Sequence, residues 1–152
     1  MKKHDFLRQF PSDCTCGKCK HEFTDSVLSL REHGQTMRFK NSTGNPIDSI
    51  AVDQCWLQQQ SACDYLVFDW DNHPYLVELK GSDVEYAYQQ LQATLNALVP
   101  KRMKEEILCF VIARKFPPIA QANAQKILKQ MRKQWPKVKV HTHSLQHEHC
   151  FA

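Results

Sequence analysis

The sequence predicts a mixed α/β domain, and three observations carry that expectation. Short apolar segments with strand-like patterning recur between residues 35 and 80, two helical stripes follow, and a nearly continuous apolar run separates those stripes. The expected element order is α-β-β-β-β-α-β-α-β, a mixed sheet flanked by helices on both faces.

Each element has its own justification. Thr24 is a candidate cap for a first helix through Val27, Leu28, Leu30 and Arg31, with Gly34 as its stop. The stretch "QTMRFKN" alternates like a strand, "STGNP" is a turn, and "DSIAVDQC" places Ile50 and Val52 on one strand face. Tyr65 to Phe68 and Tyr75 to Val77 are apolar strands joined by "DWDNHP", which suits a hairpin. Ser82 or Asp83 caps a helix whose Val84, Ala87, Leu91, Leu95 and Leu98 share one face, and Pro100 stops it. "EILCFVIARKF" reads as a strand buried on both faces. Pro117 and Pro118 open a second helix with Ala120, Ala124, Ile127, Leu128, Met131 and Trp135 as its apolar stripe. Pro136 ends it, and "VKVHTHS" is a last strand.

Composition narrows the function classes. The apolar fraction of 42% and charged fraction of 24% suit a folded globular domain rather than a disordered chain. No apolar run approaches the roughly 20 residues that a membrane-spanning helix needs, so no membrane partner is expected. No apolar segment follows the basic start Met1-Lys2-Lys3, so a cytoplasmic location is expected. Residues 1–99 hold 9 Lys/Arg against 13 Asp/Glu, whereas residues 100–140 hold 11 against 2. That asymmetry suits either a polyanion partner or a solvated helix face.

The two central strands carry chemistry as well as core. Residues two apart on a strand share a face, so Glu78 and Lys80 point together while Leu79 points away. A tight hairpin sets Asp64, at the start of one strand, beside the end of the other. Two carboxylates and an ammonium then converge at one sheet edge. Facing carboxylates repel unless a proton or cation intervenes, and Mg²⁺ or Mn²⁺, with the Leu79 carbonyl as a third ligand, meets that need. Taken alone, Glu-x-Lys on a strand is also an ordinary exposed ion pair.

The pattern Asp64…Glu78-Leu79-Lys80, with thirteen residues between the acids, resembles the motif of the PD-(D/E)xK nuclease superfamily, which includes restriction endonucleases and Holliday-junction resolvases. The resemblance covers roughly residues 22–115, and it implies a restriction-endonuclease-like fold. Cys63 stands where that superfamily often has Pro. Carried over by position, the resemblance implies Asp64 and Glu78 as metal ligands, Lys80 as catalytic lysine, and a Gln on the following helix. Gln90 is the choice among Gln89, Gln90 and Gln92, with an ordinary solvated glutamine as the alternative. Some relatives add an acid from the first helix; Glu32 or Glu22 is the candidate here, each equally readable as a surface residue.

A nucleic-acid substrate, DNA before RNA, needs basic contacts. Lys126, Lys129 and Lys133 lie on one flank of the last helix, and Lys101, Arg102, Lys104, Arg114 and Lys115 cluster at the ends of the preceding strand. A solubilising face is the alternative for the helix.

Cys14, Cys16 and Cys19 form a C-x-C-x-x-C cluster, a candidate structural Zn²⁺ site if His21, Cys55 or Cys63 completes it; free thiols are the other reading. Seven cysteines do not suit a complete disulfide framework. Cys55 and Cys63 are expected to face each other across adjacent strands as core thiols, with Cys109 also in the core. Residues 1–21 thus read as a Cys-rich segment, 22–144 as a nuclease-like domain and 145–152 as a polar, partly disordered His-rich tail.

The functional expectation is a metal-dependent nuclease that hydrolyses phosphodiester bonds, working as a homodimer or in a larger defence or repair complex. The alternatives are a catalytically inactive module of the same fold that binds a partner protein or nucleic acid, and a thiol redox or zinc-sensing protein built on Cys14 to Cys19.

Overall fold

The computed structural model describes residues 19–53, 55–57, 60–81, 83–99, 105–114 and 118–151, without the side chains of 118–121. Its strands are β1 (Lys20–Phe23), β2 (Val27–Glu32), β3 (Gln35–Lys40), β4 (Ile47–Ala51), β5 (Tyr65–Phe68), β6 (Pro74–Lys80), β7 (Ile107–Ala113), β8 (Val138–Ser144) and β9 (Gln146–Cys150). Its helices are α1 (Val84–Leu98) and α2 (Pro118–Gln134). Six strands form one mixed sheet in the order β1-β4-β5-β6-β7-β8, and β2-β3-β9 form a second. Pairing is antiparallel from β1 to β6 and parallel across β6, β7 and β8.

The helix expected over 24–34 is a strand. Leu28 and Leu30 are buried while Val27, Ser29 and Arg31 are exposed, a period of two that two leucines in a short segment can equally satisfy as a helical stripe. Gly34 does not stop a helix. With φ of 52° at His33 and 79° at Gly34, the pair forms a two-residue hairpin turn between β2 and β3 of the type that requires positive φ at both positions.

Helices on both faces are also not found among the described residues. Val84, Leu91 and Leu95 of α1 and Leu128, Met131 and Trp135 of α2 join the same apolar cluster as Leu66, Leu76 and Val111 on one sheet face. The other face, with Val67, Val77, Leu79, Phe110 and Ile112, packs against Leu28, Leu30, Met37 and Phe39 of the second sheet. The layers are therefore helices, six-stranded sheet, three-stranded sheet.

The His-rich end is ordered rather than a loose tail. Leu145, at φ 64°, carries the chain from β8 into β9, which pairs in parallel with β3. Phe151 then packs against Phe39 and Trp70. A polar sequence suffices here because β9 lies at the margin of its sheet, with alternate residues exposed. Strand β4 ends at Ala51, short of the expected run to Cys55, where the chain turns.

Candidate functional site

The site forms where β4 and β6 end and β5 begins. Tyr65 pairs with Val77, and the same register sets Asp64 across from Glu78. The Asp64 N–H donates to Glu78 Oε2 at 3.1 Å, and the Leu79 N–H donates to Asp64 Oδ2 at 2.7 Å. The acids are thus locked to each other through the backbone by one oxygen of each carboxylate. A strand residue presents its N–H and C=O on the same side, so the Leu79 carbonyl opens toward Asp64 as well.

The segment before Asp64 is pinned at every step. Gln90 Nε2 donates to the Ala62 carbonyl at 3.1 Å, and the Cys63 N–H donates to Thr94 Oγ1 at 2.8 Å. The Asp53 N–H reaches the Cys63 carbonyl and the Val52 N–H reaches the Asp64 carbonyl. Gln90 is therefore not a solvated glutamine. It is 7% exposed and positions the Asp64 segment from beneath, with its Oε1 buried and without a hydrogen-bond partner among the described residues.

Glu32 also reaches the site, from strand β2 rather than from a helix. Its Oε1 accepts from the Tyr65 hydroxyl at 2.9 Å, and its carboxylate lies within hydrogen-bonding reach of Asp64. Asp53, which no sequence pattern singled out, adds its charge to both acids.

Burial sets the electrostatics. Glu78 is 1% exposed, and burial, then the Asp64 charge, push its carboxyl well above the ordinary range, while the Lys80 charge pulls it back. Burial also raises Asp64, against the Leu79 hydrogen bond, and Glu32 and Asp53 push in the same direction as burial. The Lys80 ammonium sits 4.4 Å from the Tyr86 ring centroid on α1, partly exposed beside the acids. A divalent cation fits the donor set: two repelling carboxylates and an adjacent backbone carbonyl, all hard oxygen donors. Among the described residues no group of three or more His, Cys, Asp or Glu side chains is arranged to hold a metal ion.

The predicted basic contacts separate. Arg114 lies beside Lys80 in a cleft of about 490 Å³ that His33, Gly81 and Asp83 also line. Lys126, Lys129 and Lys133 are exposed on α2, which runs back from this edge, so that Lys133 lies roughly 22 Å along the axis from the helix start. Lys101, Arg102, Lys104 and Lys115 lie outside the described residues.

Cys19 and Cys55 form a disulfide, so Cys55 does not face Cys63 and the expectation of thiols or thiolates alone is overturned for this pair. A sulfur in a disulfide is no zinc ligand, so Cys19 joins a Zn²⁺ site only when reduced. Cys14 and Cys16 lie outside the described residues. Cys63 and Cys109 are buried thiols, as expected. No helix among the described residues is long and apolar enough to cross a membrane.

No family model, curated protein or solved structure matches this chain.

Proposed function

We propose that this protein is a metal-dependent phosphodiesterase acting on nucleic acid, DNA before RNA. The observation that carries the reading is the locked pair of buried acids, Asp64 and Glu78, with Lys80 on the same strand face. The resemblance of Asp64…Glu78-Leu79-Lys80 to the PD-(D/E)xK superfamily supports it.

Asp64, Glu78 and the Leu79 carbonyl would hold Mg²⁺ or Mn²⁺. A cation so bound lowers the pKa of bound water and neutralises phosphate charge. The Leu79 N–H fixes the Asp64 carboxylate, so the ligands need little reorganisation. Lys80 orients the attacking water or stabilises the charge growing on the phosphate oxygens. Water oxygen joins phosphorus as the ester bond to the leaving oxygen breaks, and that oxygen takes up a proton. Gln90 and Thr94 act through the Asp64 segment and touch no reacting atom. A cytoplasmic location and a dimeric or larger assembly belong to the same reading.

Incubation of plasmid and branched DNA with the protein and Mn²⁺ tests it. Cleavage by the wild type, lost in Asp64→Ala and Lys80→Ala, is the expected result. Equal cleavage by all three proteins removes this site from the chemistry. One observation favours a binding module that does not cut: the Lys80 ammonium rests on Tyr86. Saturable DNA binding without Mn²⁺ uptake would establish that second reading.

A further inference from the structure

The cleft beside the acids carries an assignment of its own. Among the described residues, its lining brings together three nitrogen-bearing side chains, His33, Lys80 and Arg114, against the carboxylate of Asp83. Asp83 is already occupied: its Oδ1 accepts from the Tyr86 N–H at 2.9 Å as the cap of α1. Asp83 keeps its charge in that role, but Lys80 and Arg114 outnumber it, so the described lining is net cationic. At about 490 Å³ it has the size of a small-ligand site, large enough for a nucleotide.

Its position is set by the fold. Lys80 pairs with Ala113 across β6 and β7, so Arg114 follows one residue beyond, on the neighbouring strand. Lys80 lies two strand residues past Glu78, roughly 6.6 Å along β6, comparable to the step between phosphates in an extended strand. The opposite wall is the β2–β3 hairpin. Arg114 Nη2 lies 3.5 Å from the His33 carbonyl and 3.5 Å from where a Cβ on Gly34 would stand.

His33 itself is an outlier. It has φ 52° at the first position of a turn for which Asn-Gly is the favoured pair. A side chain held in a costly conformation and lining a cleft points to a use for that side chain. Gly81 forms part of the lining with open space where a Cβ would stand and no left-handed φ.

We infer that His33 and Arg114, in the cleft that Lys80 borders on the side of the acids, bind the phosphate of the nucleotide next to the scissile one, holding the strand while the acids and Lys80 act. Recognition of this kind is electrostatic and independent of base sequence. The inference rests on the nuclease reading for what happens next to the cleft, but binding itself needs no metal.

The test is therefore run on the full-length protein in chelator, with no divalent cation, by anisotropy of a short fluorescent single-stranded DNA at several salt concentrations. Arg114→Gln and Gly81→Leu are each expected to weaken binding at least tenfold. Arg114→Gln should also reduce the salt slope by about one. His33→Asn, which keeps the turn, should weaken binding severalfold without lowering Tm. Wild-type affinity retained in both Arg114→Gln and Gly81→Leu overturns the inference, as does the absence of wild-type binding at low salt. Inorganic phosphate that competes as well, mole for mole, as unlabelled oligonucleotide would identify a free-phosphate site and overturn the strand assignment. Failure of the acid pair to take up Mn²⁺ leaves this readout untouched, so the two readings fail separately.

Discussion

Replacing Glu78 by Gln should make the metal-free protein more stable at neutral pH while abolishing cleavage. Burial and Asp64 push the Glu78 carboxyl from its ordinary 4.5 up to about 9, and Asp64 is raised to about 7. A carboxyl raised on folding holds a proton that the unfolded chain has released. Its contribution is fully present below the unfolded value and is lost as pH rises through the folded value. Each extra proton held by the folded state costs about 1.4 kcal/mol per pH unit. Two facing carboxyls titrate jointly, so we count one proton for the pair. Between pH 5 and pH 7.5 the loss is then about 3 kcal/mol, or roughly 6–12 °C in Tm for a chain of this size. The assay is thermal unfolding of wild type and Glu78→Gln in chelator across that range. His143, His147 and His149 have pKa values lowered first by burial, which works in the opposite direction, but they are common to both proteins and cancel in the difference. The expected outcome is a wild-type Tm that falls relative to the variant as pH rises. Parallel curves would refute the claim that these acids are held protonated by their surroundings.

Other outcomes follow from the same geometry. Thr94→Val should cost about 1–3 kcal/mol, because it leaves the buried Cys63 N–H without its acceptor; denaturant unfolding reads this, and a fall in kcat larger than any change in KM would mark loss of Asp64 positioning. Reducing the Cys19–Cys55 disulfide, which closes a loop with a sequence separation of 36, should lower stability by about 3–4 kcal/mol on the chain-entropy account, measured as a lower Tm with dithiol present. Leu30→Ala should cost about 2–5 kcal/mol through the cavity left between the two sheets, whereas Arg31→Ala on the exposed face of β2 should change stability by less than about 0.5 kcal/mol.

What the sequence made legible follows from local physics. The hairpin that sets Asp64 beside Glu78 was readable because two apolar strands and a turn with Asp71-Asn72 leave little freedom of register. Helices α1 and α2 were readable from stripes long enough to exclude a strand. Residues 24–34 were not, because Leu28 and Leu30 satisfy either period over so few positions, and the decision comes from Met37 and Phe39 across the pair. The same misreading hid how Glu32 arrives at the site and that a second sheet covers the other face. Strand β9 carries almost no apolar signal, since its pairing with β3 is long-range. Asp53 had no signal either: it reaches the acids through a turn after β4 whose path depends on backbone bonds to Cys63 and Asp64. The Cys19–Cys55 bond is likewise a tertiary event, made where β1 starts and β4 ends at one edge.

Isothermal titration of the metal-free protein with Mn²⁺ at pH 8 tests the central claim most directly. The account predicts a saturable uptake that releases protons, weakens as pH falls toward 6, and disappears in both Asp64→Asn and Glu78→Gln. Uptake of the same affinity in those two variants, or none in the wild type, would contradict it.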